Sequence, residues 1–142
     1  MKCLVMDEIE IGQKVAKQIE ITEEVVFVFC GLTGDMNPMH TNEDYASRTM
    51  FKKRIAPGLL SVCLMASLMG CELPGAASVY VSQDIKFKAP VFIGDTLRAE
   101  VEVVAKDIAR NRITVRTTCI NQNGQLVIDG QGVTMPAKVK SV

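Results

Sequence analysis

Two residue types in one short turn pose the chemical question. In residues 34–40, GDMNPMH, an aspartate stands five positions before the only histidine of the 142-residue chain. A carboxylate and an imidazole aimed at one point can take and return a proton, which is general acid–base chemistry. The same stretch also reads as a solvated turn, because Asn37-Pro38 is a turn dipeptide and a lone histidine is usually a polar loop residue. On the residues alone, both readings of Asp35 and His40 stand. Asn37 is equally divided: it can orient the loop or the carboxylate, or simply favour a turn before proline.

The remaining reactive residues point to no metal or redox chemistry. Cysteines 3, 30, 63, 71 and 119 form no CxxC pair and no zinc-like spacing with the single histidine, so no metal site is expected. Cys63 and Cys71 sit eight residues apart in a helical pattern, about 12 Å along the axis, beyond disulfide reach. An odd number of scattered cysteines suits a reducing cytoplasm. The first residues, MKCLVMDEIEIGQ, are too acidic and too weakly apolar for a signal peptide, so a soluble cytoplasmic protein is expected. Sixteen basic residues balance sixteen acidic ones, which argues against nucleic acid as a partner. Arg48, Lys52, Lys53 and Arg54 read as a solvated face, with contact to a phosphate-bearing ligand as the sharper alternative.

The elements that must hold the Asp35–His40 turn can be placed from pattern. Val15 to Ile21 alternates loosely and suits a first strand. Thr22 can cap a helix whose first turn carries Glu23 and Glu24, although the following VVFVFC favours strand by propensity. The caps favour helix, ended at Gly34, and Asn42 can cap a second short helix, EDYASR. Residues 57–70, PGLLSVCLMASLMG, contain no charge, with Pro57 suited to the first helical position and Gly70 to the stop. Fourteen residues are too few to cross a bilayer, which needs about 20, so no membrane partner is expected and the helix should be buried in the domain. Strands are expected at Ser78–Ala89, Thr96–Val104, Arg112–Asn121 and Gln125–Met135, with Asn123-Gly124 as a type I′ hairpin. One-sided alternation in successive strands predicts an antiparallel sheet with one dry face. The fold class is therefore α+β, a single domain over 1–142 with a curved antiparallel sheet round one central apolar helix. Its open edges make dimerisation plausible.

With an apolar central helix preceded by GDxNPxH, this chain resembles the hot-dog fold and, more narrowly, the MaoC-like (R)-specific enoyl-CoA hydratases. The resemblance runs through GQKVAKQIEIT, FCGLTGDMNPMHTNEDYA with the small Ala46 six residues beyond the histidine, KKRIAPGLLSVCLMASLMGCELPG and SVYVSQDIKFKAPVFIGDTL. It implies Asp35 and His40 as the catalytic pair on an overhanging segment, and the backbone N–H of Gly58 as the oxyanion donor. It also implies Met69 at the acyl pocket, while Asn37 remains a supporting candidate on its own reading. Two positions depart from the family pattern: Pro57 replaces a frequent histidine, and Ala66 replaces a frequent serine eight residues beyond the glycine. Both bear on the shape and polarity of the acyl pocket.

The implied activity is reversible hydration of a trans-2-enoyl-CoA to the (R)-3-hydroxyacyl-CoA, in a homodimer or higher oligomer. No cofactor is implied, because coenzyme A is part of the substrate. Two alternatives remain at this point: a 3-hydroxyacyl-carrier-protein dehydratase, and a non-catalytic acyl-CoA-binding hot-dog domain. Retention of both Asp35 and His40 disfavours the second, since a pure binder needs neither.

Overall fold

Caps decide the first contest between helix and strand. The N–H of Val25 donates to Thr22 Oγ1 at 3.3 Å, Glu23 and Glu24 occupy the first turn, and Gly34 ends the element with φ 73°. The computed structural model, which describes residues 1–140, thus has helix α1 at Glu23–Thr33 despite its β-branched run. The other elements are β1 (Lys14–Glu20), α2 (Pro38–Thr41), α3 (Glu43–Ala46), α4 (Gly58–Cys71), β2 (Val79–Phe87), β3 (Thr96–Asp107), β4 (Arg112–Ile120) and β5 (Leu126–Met135). Helix α2 is too short to announce itself by periodicity. Helix α3 is shorter than EDYASR but is capped as expected, Tyr45 N–H donating to Asn42 Oδ1 at 2.9 Å.

The five strands form one antiparallel sheet in the order β1-β3-β4-β5-β2, and α4 packs against all five. Alternation places Leu97, Ala99, Val101 and Val103 of β3 and Ile113, Val115 and Cys119 of β4 on the inner face. There they bury Leu60, Leu64, Met65, Leu68 and Met69 of the helix. This is the expected hot-dog arrangement of a sheet around a central helix.

Four expectations need correction. Helix α4 runs one residue past Gly70, and Pro57 is its N-cap rather than its first helical residue. The helix is also not buried all round: Leu59 is 60% exposed, and Cys63 is exposed on the same side. Strand β2 has only a weak dry face: Ile85 packs against the core, but Val79, Tyr80, Val81 and Phe87 are all exposed. It is an edge strand, with no further strand among the described residues paired on its outer side. Finally, the β4–β5 connection is not a type I′ turn. Gly124 alone takes positive φ, at 73°, and its N–H donates to Asn121 O at 3.0 Å. Asn121 Oδ1 accepts from the N–H groups of Asn123 and Gln125, both at 3.0 Å, and this side-chain bracket favours a type I turn with a glycine bulge.

Candidate active site

The loop after α1 is built to aim two side chains. Asp35 Oδ1 accepts the backbone N–H of Asn37 at 3.3 Å, which leaves Oδ2 to face outward from that bond. Asn37 Oδ1 in turn accepts the N–H of Met39 at 3.0 Å and caps α2, while Pro38 occupies the first turn. Both readings of Asn37 therefore hold: its side chain makes the turn, and its backbone orients the carboxylate. One turn on, His40 is buried, and its Nδ1 lies 2.7 Å from the carbonyl oxygen of Ile55. A carbonyl can only accept, so Nδ1 carries a proton and the neutral ring presents a lone pair at Nε2.

His40 Nε2 and Asp35 Oδ2 are 3.8 Å apart. That is too long for a hydrogen bond between them. It suits two groups sharing a third atom, since a water oxygen about 2.8 Å from each can sit beside their line. Such a water is a nucleophile held by a carboxylate and an imidazole together.

The segment before α4 keeps this loop against the sheet. Ile55 N–H donates to Met39 O at 3.2 Å, and Ala56 N–H donates to Val91 O at 2.8 Å. Arg54 bridges Glu23 at 2.6 Å and Glu43 at 3.0 Å, joining the start of α1 to α3. These partners hold its guanidinium even more firmly protonated, with the hydrogen bond to Glu23 as the largest cause. Arg54 is therefore committed to the scaffold rather than free for a phosphate. Lys53 lies 4.2 Å from the Phe92 ring centre, and Lys52 is exposed.

His40 opens on a cavity of about 340 Å³ between the start of α4 and the β2–β5 end of the sheet. Phe51, Ile55, Phe87, Val91 and Ile128 make its wall apolar, and His40, Ser61, the Gly58 backbone and Lys88 are its polar features. Pro57 offers α4 no side-chain cap, so the first N–H groups of the helix, with the positive end of its dipole, remain for a ligand. Gly58 is there for a steric reason: a Cβ at this position would lie 2.8 Å from Phe87 Cε1. Met69 does not line this cavity. It is buried in the core, eleven residues and about 16 Å of helix beyond Gly58. Asp35 stands outside the wall, its side chain about half exposed.

Sequence reasoning missed Ser61, Phe87 and the carbonyl of Ile55. Ser61 had one usable signal, its place one helical turn after Gly58; the other two depend on tertiary contact. A larger open groove of about 670 Å³ on the sheet's outer face, near Asp84 and Lys86, holds none of these residues, and its Arg116 pairs with Asp129 at 3.4 Å.

A family model described as "MaoC like domain" matches residues 7–125. An (R)-specific enoyl-CoA hydratase from Rhodospirillum rubrum is 44% identical, covering 93% of this chain and 92% of its own length. A 3-hydroxybutyryl-CoA dehydratase from Methylorubrum extorquens is 37% identical, over 97% and 88%. The solved structure of an unliganded R-hydratase from Pseudomonas aeruginosa superposes with a TM-score of 0.88 at 36% identity, covering 96% of this chain and 90% of that one. From its helix-wrapping sheet to its GDMNPMH loop, the chain belongs to the MaoC-like domain family.

Proposed function

We propose that this protein is an (R)-specific enoyl-CoA hydratase, interconverting trans-2-enoyl-CoA and (R)-3-hydroxyacyl-CoA. The observation that carries the reading is the 3.8 Å spacing of Asp35 Oδ2 and His40 Nε2 beside a cavity that begins at the N-terminus of α4. In this reaction the pair holds water and takes one of its protons as oxygen bonds to C3. Electrons move through the double bond onto the thioester oxygen, which the Gly58 N–H stabilises. A proton then reaches C2 from the same side of the substrate, and the enolate returns to the thioester. The step is redox-neutral, so it needs no cofactor beyond the coenzyme A carried by the substrate. The R configuration and the reversibility are supported by relatives named for hydration and for dehydration.

The test is direct. Crotonyl-CoA mixed with the protein should lose its conjugated absorbance and give the (R)-3-hydroxy product. A series of acyl lengths, offered on coenzyme A and on acyl carrier protein, identifies the preferred substrate. Binding of acyl-CoA with no hydration at any length would instead make this a binding domain, and faster turnover of carrier-protein thioesters would make it a dehydratase of that class.

The working form in this reading is a homodimer. The two sheet edges differ: β1 presents Lys14, Lys17, Gln18 and Glu20, whereas β2, besides Asp84 and Lys86, presents the large apolar side chains of Val79, Tyr80, Val81 and Phe87. Charged edges resist pairing and apolar ones invite it, so the second copy is placed along β2, where it also covers the open side of the cavity. Sedimentation should give twice the chain mass, and Val81→Glu should shift it toward monomer; a monomeric wild type at assay concentration removes this arrangement. Among the described residues, no helix is long and apolar enough to cross a membrane. The reading places the protein in the cytoplasm, with no nucleic-acid or membrane partner.

A further inference from the structure

Ser61 is the anomaly of the cavity. It is 1% exposed, it contributes to the wall that also holds His40 and Gly58, and its Oγ has no hydrogen-bond partner among the described residues. A buried hydroxyl without a partner is costly, and the other buried side-chain polar atoms among the described residues are satisfied. A helical serine ordinarily relieves that cost by donating to the carbonyl three or four residues back. Here it does not.

Position fixes what the hydroxyl can reach. Ser61 is three residues after Gly58, on the same face of α4, and helical side chains lean back over the preceding turn. A side chain that leans this way brings its hydroxyl toward the first turn, and Ser61 and Gly58 line the same cavity. Much of the surrounding wall is apolar (Ala56, Phe87, Val91, Ile128), so a ligand atom that satisfies Ser61 must itself be polar and lie close to the helix start. In the hydratase reading, on which this inference rests, the thioester oxygen is that atom. It has two lone pairs, and it gains charge as water attacks C3.

We propose that Ser61 Oγ–H is a second donor to the thioester oxygen, sharing the oxyanion with the Gly58 N–H. The hydroxyl stays protonated throughout and no bond to it is made or broken; it stabilises charge only. Because the charge is greatest in the enolate, the donor acts mainly on kcat.

The experiment is Ser61→Ala and Ser61→Cys, with kcat and KM for crotonyl-CoA measured separately and the thermal midpoint followed in parallel. Ser61→Ala should lower kcat by about 30-fold, less than the roughly 10²–10³ typical of losing an oxyanion donor, because the Gly58 N–H remains. KM should change little, and the midpoint should hold or rise, since no partner within the fold is lost. Ser61→Cys, a weaker donor of similar size, should fall between. A spectroscopic readout adds a test that packing alone does not move: the wild type should raise the enolate absorbance of bound acetoacetyl-CoA, and Ser61→Ala should lose most of that increase. Unchanged kcat in both variants, or a loss confined to KM, overturns the proposal while leaving the hydratase reading intact. A wild type that hydrates no enoyl thioester overturns both, and does so before any variant is made.

Discussion

His40→Ala is expected to lower kcat for enoyl-CoA hydration by about 10³, within the roughly 10²–10⁴ that a positioned acid–base group supplies. Asp35→Asn keeps the shape and loses the carboxylate, and a fall of about 10² or more is expected. The two changes should differ in stability. Asp35 is half exposed, so its replacement should leave the thermal midpoint near wild type. His40 is buried and donates to Ile55 O at 2.7 Å, so its loss leaves a carbonyl unpaired and should cost about 1–3 kcal/mol. Because the pair acts on one water, the double variant should be scarcely slower than the worse single one. Turnover near wild type in either single variant, in protein shown to be folded, would remove that residue from the chemistry.

The approach of Asp35 to His40 was legible because its signal is local. Asp35 and His40 are five positions apart, and the turn residues between them fix the approach of one side chain to the other. The caps Thr22, Gly34 and Asn42 were legible for the same reason, and they overruled the strand propensity of VVFVFC. The alternation in β3 and β4 likewise marks a face that the folded chain buries. What failed to show was set by contacts distant in sequence. Arg54 looks like part of a basic surface until Glu23 and Glu43 arrive from other elements. Strand β2 has the composition of a half-buried strand, yet it lies at the sheet edge, where this chain alone covers neither Phe87 nor Val81. The family pattern put Met69 at the acyl pocket, but burial in the core is the same physical signature as lining a tunnel, and only the fold separates them. Type I′ and type I-plus-bulge hairpins both want Asn-Gly; the choice fell to the side chain of Asn121, two residues before that dipeptide.

The glycine at the start of α4 was expected because a ligand must come close to the backbone there. The structure adds a second reason within the chain itself. A Cβ on residue 58 would meet Phe87 at 2.8, 3.2 and 3.3 Å, all on one edge of the ring. The backbone at Gly58 does not have positive φ, so only this contact and the ligand exclude a side chain. Helix propensity by itself favours alanine over glycine by about 1 kcal/mol. Gly58→Ala should therefore fold at least as well as wild type, once the partly exposed ring of Phe87 swings aside. The displaced ring moves within the cavity wall, and the substrate carbonyl loses its close approach to the N–H. About a tenfold loss in kcat/KM is expected for Gly58→Ala. For Gly58→Val, whose branched side chain holds the carbonyl off by about 1 Å or more, the expected loss is about 10². Combining Gly58→Ala with Phe87→Leu separates the two causes. If ring displacement dominates, the smaller side chain restores part of the activity; if crowding of the ligand dominates, it restores none. Full activity in Gly58→Val would show that the thioester does not lie against this helix end at all.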